Sequence, residues 1–292
     1  MAPRSFSLVV VVTLFLTLCL SCSQQQPPPR PDNPRLTSRV VMQDVSFRSV
    51  ALQRDVVYRV IIPNEISHAR KLTAVYLLHG GGGGYRDWSN YSDVAQYAEA
   101  GFVLVMPEGE SSYWINSADR KQDRYEDFIV NDLLNDVQHR FPVSSNRNAR
   151  AIVGVSMGGF GAVTLGLKHP DLFRFVGGIS SALDVPTRPF SFKRIAQWRH
   201  HRSIFGSWNG QHQQENDPYV LARHADPGSA PFFFLTCGDQ EGLLPANRRL
   251  ASQLQERQVP FLFRTAAAGH NWQEWNQQLP ELFRNLHQHL PE

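Results

Sequence analysis

Four long apolar runs, spread along the chain and each followed by a glycine or a small polar residue, constrain the fold of this sequence most strongly. They are LTAVYLLHG at 72–80, GFVLVMPEG at 101–109, ARAIVGVS at 149–156 and APFFFLTCGD at 230–239. Runs of this kind are typical of strands buried on both faces, as in a parallel sheet that is covered by helices. A sheet built from these strands must therefore be covered by other parts of the chain on both of its faces.

Helical patterns separate these runs. Apolar residues recur at spacings of three and four over residues 92–100, 125–141, 248–257 and 274–290, which predicts amphipathic helices. Residues 45–63 favour an early hairpin, and two shorter strands are expected near 176–179 and 260–265. Alternating strands and helices predict right-handed crossovers and a doubly wound, mostly parallel α/β sheet with helices on both faces. We expect one domain over 37–292, with a small cap insertion at about 183–226.

The N-terminal region has the pattern of an export signal. A positive charge at Arg4 precedes an apolar stretch over residues 6–20, and Ser21 precedes Cys22. The stretch is shorter than the roughly 20 residues that span a bilayer. Residues 23–36 are rich in Gln and Pro, which predicts a disordered linker. Residues 1–22 resemble a bacterial lipoprotein signal, which implies lipidation of Cys22 and attachment to a membrane of the cell envelope. Cys19 stands where that signal prefers Leu, so simple secretion or periplasmic release stays open.

The charge distribution argues against nucleic acid as a partner. The chain carries a net charge of +3 with a pI near 8.8, but its Lys and Arg residues are scattered among acids along the chain and do not form a dense basic stripe. We expect no nucleic-acid binding.

The sequence GVSMGGFG at 154–161 indicates a candidate nucleophile. Residues 154–158 fit G-x-S-x-G, the turn that holds a serine in a strained conformation between a strand and a helix, where bulky neighbours would clash. In a doubly wound sheet such a turn lies at the carboxyl end of a strand, where sites form. Ser156 is then the nucleophile. A glycine-rich turn with a surface serine is the alternative.

A run of five glycines, Gly80 to Gly84, follows His79 at the end of another apolar run. A backbone this open can bring N–H groups close to an oxyanion, and the N–H of the residue after the nucleophile supplies a second donor. We expect Gly81 and Met157 to provide the two donors. A phosphate cradle is a poor alternative because no G-K-[ST] follows.

A histidine and an acid complete the candidate site. His270 follows a strand-like segment and a short loop, whereas His287 and His289 fall within a predicted helix, so His270 is the expected general base. Asp239 and Glu241 both follow an apolar run at the right place to orient this histidine. Position alone does not separate the two acids.

Five motifs together resemble the esterase D type of α/β-hydrolases, which includes tributyrin, feruloyl and acetyl esterases. They are YLLHGGGGGYRDW, YEDFIVNDLLNDV, GVSMGGFGAVTLGLKHPDLF, CGDQEGLLPANR and GHNWQEW, within residues 45–290. The resemblance implies the α/β-hydrolase fold and places the triad acid at Glu241, where the family commonly has Asp; Asp239 stays as the alternative.

The resemblance also implies an activity. It is the hydrolysis of short-chain acyl, acetyl or feruloyl esters through an acyl-enzyme, without metal or cofactor. An acyltransferase with the same triad and a non-catalytic envelope protein are the alternatives.

The expected partner is a small-molecule or carbohydrate-linked ester. Residues near the ends of the predicted strands are expected to line its cleft, and we assign substrate binding to Gly80, Gly82, Glu108, Trp114 and Trp272.

Overall fold

A computed structural model describes residues 31–66, 71–188 and 195–290 of the chain. The predicted signal at 1–22, including Cys22, lies outside the described residues, and so do 23–30 of the predicted linker and 189–194 of the predicted cap. Within the described ranges, no helix is both long enough and apolar enough to cross a bilayer.

The described residues form one eight-stranded sheet. Its strands are β1 (Val40–Ser49), β2 (Arg54–Pro63), β3 (Thr73–Leu78), β4 (Phe102–Pro107), β5 (Arg150–Val155), β6 (Phe175–Ile179), β7 (Phe232–Gly238) and β8 (Phe261–Ala266). They lie in the order β1-β2-β4-β3-β5-β6-β7-β8. Strands β1 and β2 form an antiparallel hairpin, and β2 pairs antiparallel with β4. The six strands from β3 to β8 are parallel to one another, which confirms the predicted mostly parallel sheet.

Each connection between consecutive strands from β3 to β8 contains at least one helix, and a further helix follows β8. The helices are α1 (Asp87–Tyr91), α2 (Ala95–Glu99), α3 (Tyr125–Asp127), α4 (Leu134–Arg140), α5 (Met157–Lys168), α6 (Ile195–Phe205), α7 (Gln211–Glu215), α8 (Pro218–His224), α9 (Leu244–Glu256) and α10 (Trp272–His289). Short 3₁₀ turns lie at Arg147–Ala149 and Val185–Thr187. The described part of the predicted cap, between β6 and β7, is thus helical.

Two predicted helices differ from the structure. The pattern at 92–100 predicted a helix from its first residue, but Ser92 is extended and α2 begins only at Ala95. The pattern at 125–141 predicted a regular helix, but a π-helical turn at Phe128–Leu133 separates α3 from α4. Asp132, within that turn, accepts hydrogen bonds from Ser49 Oγ at 2.5 Å and from the Ala51 N–H at 2.8 Å. The wider turn is therefore tied to the loop between β1 and β2.

Both faces of the sheet are buried, which explains the continuous apolar runs. Along β3, Tyr76 and Leu78 belong to one hydrophobic cluster, and Val75 and Leu77 belong to another. Successive side chains of a strand point to opposite faces, so the two clusters lie on opposite sides of the sheet. Helix α10 packs into the second cluster through residues such as Leu282.

A buried arginine holds the start of the folded domain. The Arg59 side chain on β2 is 1% exposed and forms ion pairs with Asp32 and Asp44, both at 2.7 Å. Its Nη1 also donates to Ser89 Oγ at 2.9 Å. The chain therefore packs onto the domain from Asp32 onward, within the segment that the sequence predicted as linker.

Removing both carboxylates should destabilise the fold. We expect the double variant Asp32→Asn/Asp44→Asn to lower the free energy of unfolding by about 3–5 kcal/mol, because a buried charge would lose its partners. The control is Asp55→Asn, since Asp55 pairs with Arg48 at 3.7 Å where the two side chains are 73% and 66% exposed. That change should cost less than about 1 kcal/mol. Urea unfolding measures both, and equal costs would contradict the account.

Candidate active site

Ser156 lies at the sharp turn between β5 and α5, in a backbone conformation of φ 56° and ψ −112°. Such a conformation is strained for a residue with a side chain. Only glycine fits at the neighbouring positions 154 and 158 for steric reasons. A Cβ on Gly158 would collide with the carbonyls of Leu78 and His79, and a Cβ on Gly154 would collide with the backbone of Gly158. The spacing of the glycines is therefore what allows the serine to occupy this turn.

His270 lies in the loop between β8 and α10. Its Nε2 is 2.9 Å from Ser156 Oγ, and its ring packs edge-on against Trp275 with 4.9 Å between the ring centres. Helix α10 fixes this loop from both sides, because Asn271 caps the Glu274 N–H at 3.1 Å and the Gly269 N–H donates to the Glu274 carboxylate. The imidazole is thus held close to the serine hydroxyl.

Glu241 orients the histidine from the other side. Its Oε2 is 2.6 Å from His270 Nδ1, and its carboxylate is 1% exposed. The second oxygen accepts hydrogen bonds from Ser180 Oγ at 2.6 Å and from the Gly238 N–H at 3.0 Å. Because a carboxylate only accepts hydrogen bonds, Nδ1 carries the ring hydrogen and Nε2 is left to accept one from the serine.

The structure distinguishes the two candidate acids by position. Asp239 is exposed, and its backbone N–H donates to the Ala266 carbonyl at the end of β8. Glu241 is the carboxylate that meets His270. Further support comes from Ser180 Oγ, which accepts a hydrogen bond from Trp275 Nε1 at 3.0 Å. Neither Ser180 nor Trp275 was among the site residues expected from the sequence, although Ser180 directly follows a strand and Trp275 lies in the GHNWQEW motif.

A cavity of about 420 Å³ opens beside these residues. Ser156, His270, Glu241 and both expected oxyanion donors, Gly81 and Met157, contribute to its walls. Six further residues complete the lining, and none of them was singled out as a site residue from the sequence: Tyr113, Ala182, Arg188, Gln240, Gly242 and Leu243. In the described ranges, no cluster of three or more His, Cys, Asp or Glu residues is arranged to hold a metal ion.

Residues 49–286 match the family model described as putative esterase. The chain belongs to this esterase family. The match covers most of the sheet, together with Ser156, Glu241 and His270.

Individual relatives agree with that assignment. The esterase is 26% identical to an acetyl esterase of Caldicellulosiruptor saccharolyticus, over 84% of this chain and 97% of the relative. It is also 26% identical to the diacylglycerol acyltransferase/mycolyltransferase Ag85A of Mycobacterium leprae, over 74% and 75% of the two chains. A solved ferulic acid esterase superposes with a TM-score of 0.73 at 23% identity, covering 87% and 99%. This likeness confirms the expected α/β-hydrolase fold.

The glycine loop of the esterase is held by two residues behind it. Buried His79 accepts a hydrogen bond at Nε2 from the Gly109 N–H, at 3.0 Å, so its Nδ1 donates to the Gly80 carbonyl at 2.8 Å. Glu108 accepts from the Tyr85 N–H at 3.2 Å, at the far end of the loop. The carboxyl ends of β3 and β4 thus fix the loop that carries Gly81.

Two residues assigned to substrate binding have other positions. Trp114 is fully buried, with its ring 5.0 Å from that of His79, and a Cβ on Gly161 would collide with it. It does not line the cleft, because its indole fills the space above α5. Glu108 turns its carboxylate towards backbone N–H groups and braces the glycine loop.

The other three residues assigned to substrate binding also lie outside the cavity lining. Trp272 packs edge-on against Trp88 and Trp275, with ring centres 5.1 and 5.2 Å away. Gly80 and Gly82 belong to the glycine loop, where the φ of 71° at Gly82 favours glycine. These two glycines shape the loop, and Gly81 alone among the three residues 80–82 borders the cavity.

Replacing His79 with phenylalanine should lower kcat for ester hydrolysis about 10²-fold with little change in KM. The ring would still fill its place, but the hydrogen bonds that orient the Gly80–Gly81 peptide would be lost, and a misplaced oxyanion donor acts mainly in the transition state. Steady-state kinetics on p-nitrophenyl butyrate measure this. The matched control is His212→Phe on α7, whose ring bonds to the Ile204 carbonyl. A rise in KM with unchanged kcat would contradict the bracing role.

Proposed function

We propose that this protein is a serine-dependent carboxylic ester hydrolase that acts on short-chain acyl, acetyl or feruloyl esters through an acyl-enzyme. The observation that carries the proposal is the hydrogen-bonded chain from Ser156 through His270 to Glu241, which opens onto a cavity of about 420 Å³. The names of an acetyl esterase relative and a ferulic acid esterase neighbour support this choice of acyl groups.

The first half of the reaction forms the acyl-enzyme. Ser156 Oγ attacks the ester carbonyl while His270 Nε2 takes its proton. The carbonyl oxygen becomes negative, and the N–H groups of Met157 and Gly81 donate hydrogen bonds to it. His270 then gives its proton to the departing alcohol, and the C–O bond of the ester breaks.

Water completes the cycle. His270 removes a proton from a water molecule that attacks the acyl-enzyme, and the same two N–H groups stabilise the second oxyanion. Ser156 regains its proton and the acid product leaves. Glu241 stabilises the imidazolium in both halves and holds the ring so that Nε2 faces the serine.

A substrate panel tests the proposed function. We expect hydrolysis of p-nitrophenyl acetate, p-nitrophenyl butyrate and methyl ferulate by the wild-type protein, with at least one kcat/KM above about 10³ M⁻¹ s⁻¹. The Ser156→Ala protein, purified in the same way, serves as the blank. Equal rates from the two proteins on every ester would contradict the proposal.

Acyl transfer is a second candidate function, and the acyltransferase relative favours it. The same acyl-enzyme would then react with an alcohol instead of water. Adding glycerol, trehalose or methanol during hydrolysis of p-nitrophenyl butyrate and measuring new ester against free acid gives the partition. A dominant ester product at millimolar alcohol would favour the transferase, and free acid alone would exclude it for these acceptors.

We further propose that the chain is exported and that Cys22 is lipidated in the cell envelope. The support is the sequence of residues 1–22. Expression in a bacterial host that processes lipoproteins, followed by detergent phase separation, tests this. The wild type should enter the detergent phase and Cys22→Ala should not; an aqueous wild type would indicate simple secretion.

A further inference from the structure

We propose that the preferred substrates carry a negatively charged group, in the simplest case a carboxylate, which Arg188 binds in the cavity that contains Ser156. The inference rests on the proposed function and deepens it by naming a substrate class. It concerns the described part of the cap, where Arg188 ends the 3₁₀ turn Val185–Thr187.

Arg188 gives the cavity a positive charge that the reaction does not use. Among the described residues that line the cavity, Arg188, Glu241 and His270 are the ones with ionisable side chains of the acidic or basic type. Glu241 is 1% exposed and already accepts from His270, Ser180 and Gly238. The guanidinium of Arg188 is therefore the charged group on the walls that is placed to interact with a charged part of a bound ester.

The ion pair with Asp184 positions the guanidinium of Arg188 and leaves some of its N–H groups for a ligand. Asp184 accepts from Nε at 3.2 Å and from Nη2 at 2.9 Å, so it occupies one edge of the fork. The two side chains are 37% and 43% exposed, and an ion pair this exposed contributes little stability. A guanidinium has five N–H groups in a plane, which leaves further donors for a second carboxylate.

The neighbours of Arg188 fit an anion as well. Tyr113 lines the cavity, and its hydroxyl is 2.9 Å from Nε2 of His201 on α6. Burial, and then the positive charge of Arg188, lowers the pKa of His201 to about 4, so this imidazole is neutral at pH 7. The wall thus combines the permanent positive charge of Arg188 with the phenol of Tyr113, and the neutral His201 that is hydrogen-bonded to this phenol adds no charge. A carboxylate on the substrate would gain charge-assisted hydrogen bonds there, whereas a neutral amide would not.

Two pairs of esters test the inference, because the members of each pair have nearly the same size and shape and one of the two carries a negative charge. The acyl-side pair is the p-nitrophenyl half-ester of glutaric acid and the same ester with a terminal amide. The leaving-group pair is para-acetoxybenzoate and para-acetoxybenzamide. In at least one pair, Arg188→Gln should lower kcat/KM for the carboxylate member about 10-fold to 100-fold, and for the amide member less than about twofold. The responsive pair shows which half of the substrate carries the charge.

Two further variants distinguish a specific carboxylate site at Arg188 from long-range electrostatic attraction between the protein and an anionic substrate. Arg188→Lys should keep part of the preference, since it retains the charge without the planar fork. Arg202→Gln, on α6, removes a cationic side chain that stacks on Trp198 at 5.7 Å and is absent from the cavity lining; it should change neither pair. An equal loss in the two variants would indicate long-range steering and overturn the inference.

The outcomes for the inference and for the proposed function differ. If Arg188→Gln changes the carboxylate and amide members equally, or changes neither, the inference fails while Ser156-dependent hydrolysis of both members keeps the proposed function. If Ser156→Ala hydrolyses all four esters as fast as the wild type, the proposed function itself fails.

Discussion

Replacing Ser156 with alanine should lower kcat for p-nitrophenyl acetate by about 10⁵-fold or more. The loss is large because Oγ forms the covalent bond to the acyl group, and Ser156 is the residue that the strained turn at φ 56° places 2.9 Å from His270 Nε2. Binding would persist, since the cavity walls and oxyanion donors are unchanged, so the loss should lie in the chemical step and not in the Kd of the substrate. Steady-state kinetics, with the limit set by a blank of denatured protein, measure the effect.

A matched serine and a double variant sharpen this prediction. Ser207→Ala removes an exposed hydroxyl on the cap and should leave kcat within about twofold. Because Ser156 and His270 act as one unit, the double variant Ser156→Ala/His270→Ala should be no slower than Ser156→Ala alone. Losses that multiply would show that the two side chains act separately.

Replacing Glu241 with glutamine should lower kcat about 10⁴-fold. The amide has nearly the same shape, but Ser180 and the Gly238 N–H donate to one of its two end atoms and so favour the oxygen there. The NH₂ then faces His270 Nδ1, which loses its hydrogen to the other ring nitrogen. An Nε2 that carries a hydrogen cannot accept the serine proton. Single-turnover kinetics on p-nitrophenyl acetate measure the chemical step directly.

Asp239→Asn is the control for that experiment. Asp239 is exposed and its backbone, not its carboxylate, has the hydrogen bond that fixes the loop. We expect kcat within about twofold of the wild type. A loss of similar size in both variants, or a larger loss in Asp239→Asn, would contradict the assignment of Glu241.

The sheet was predictable because burial on both faces leaves a clear pattern. Val75 and Leu77 face one cluster while Tyr76 and Leu78 face the other, so β3 shows no polar alternation. The turn at Ser156 was predictable for a steric reason, since only glycine fits at 154 and 158. The pairing of His270 with Ser156 followed from chain order together with the loop before α10.

Other features depend on contacts between distant segments, which a local pattern does not contain. Glu241 and Asp239 are equally placed in sequence, and the contacts of Glu241 with His270 and with Ser180, the residue after β6, distinguish them. Trp114 was expected in the cleft because it follows soon after the apolar run at 101–107. Gly161 on α5 instead provides the space in which its indole is buried. The position of Arg188 beside the cavity depends on the path of the chain from β6 through the 3₁₀ turn Val185–Thr187.

The serine mechanism predicts an acyl-enzyme that can itself be measured. Rapid mixing with p-nitrophenyl acetate, followed by acid quenching and mass spectrometry of the digested chain, should show a burst of p-nitrophenol of about one per active chain and an acetyl group on the peptide that contains Ser156. Acetylation should be absent from Ser156→Ala. A burst with the acetyl group on any other side chain, or steady hydrolysis by a chain whose Ser156 never becomes labelled by either the ester or a fluorophosphonate, would contradict it.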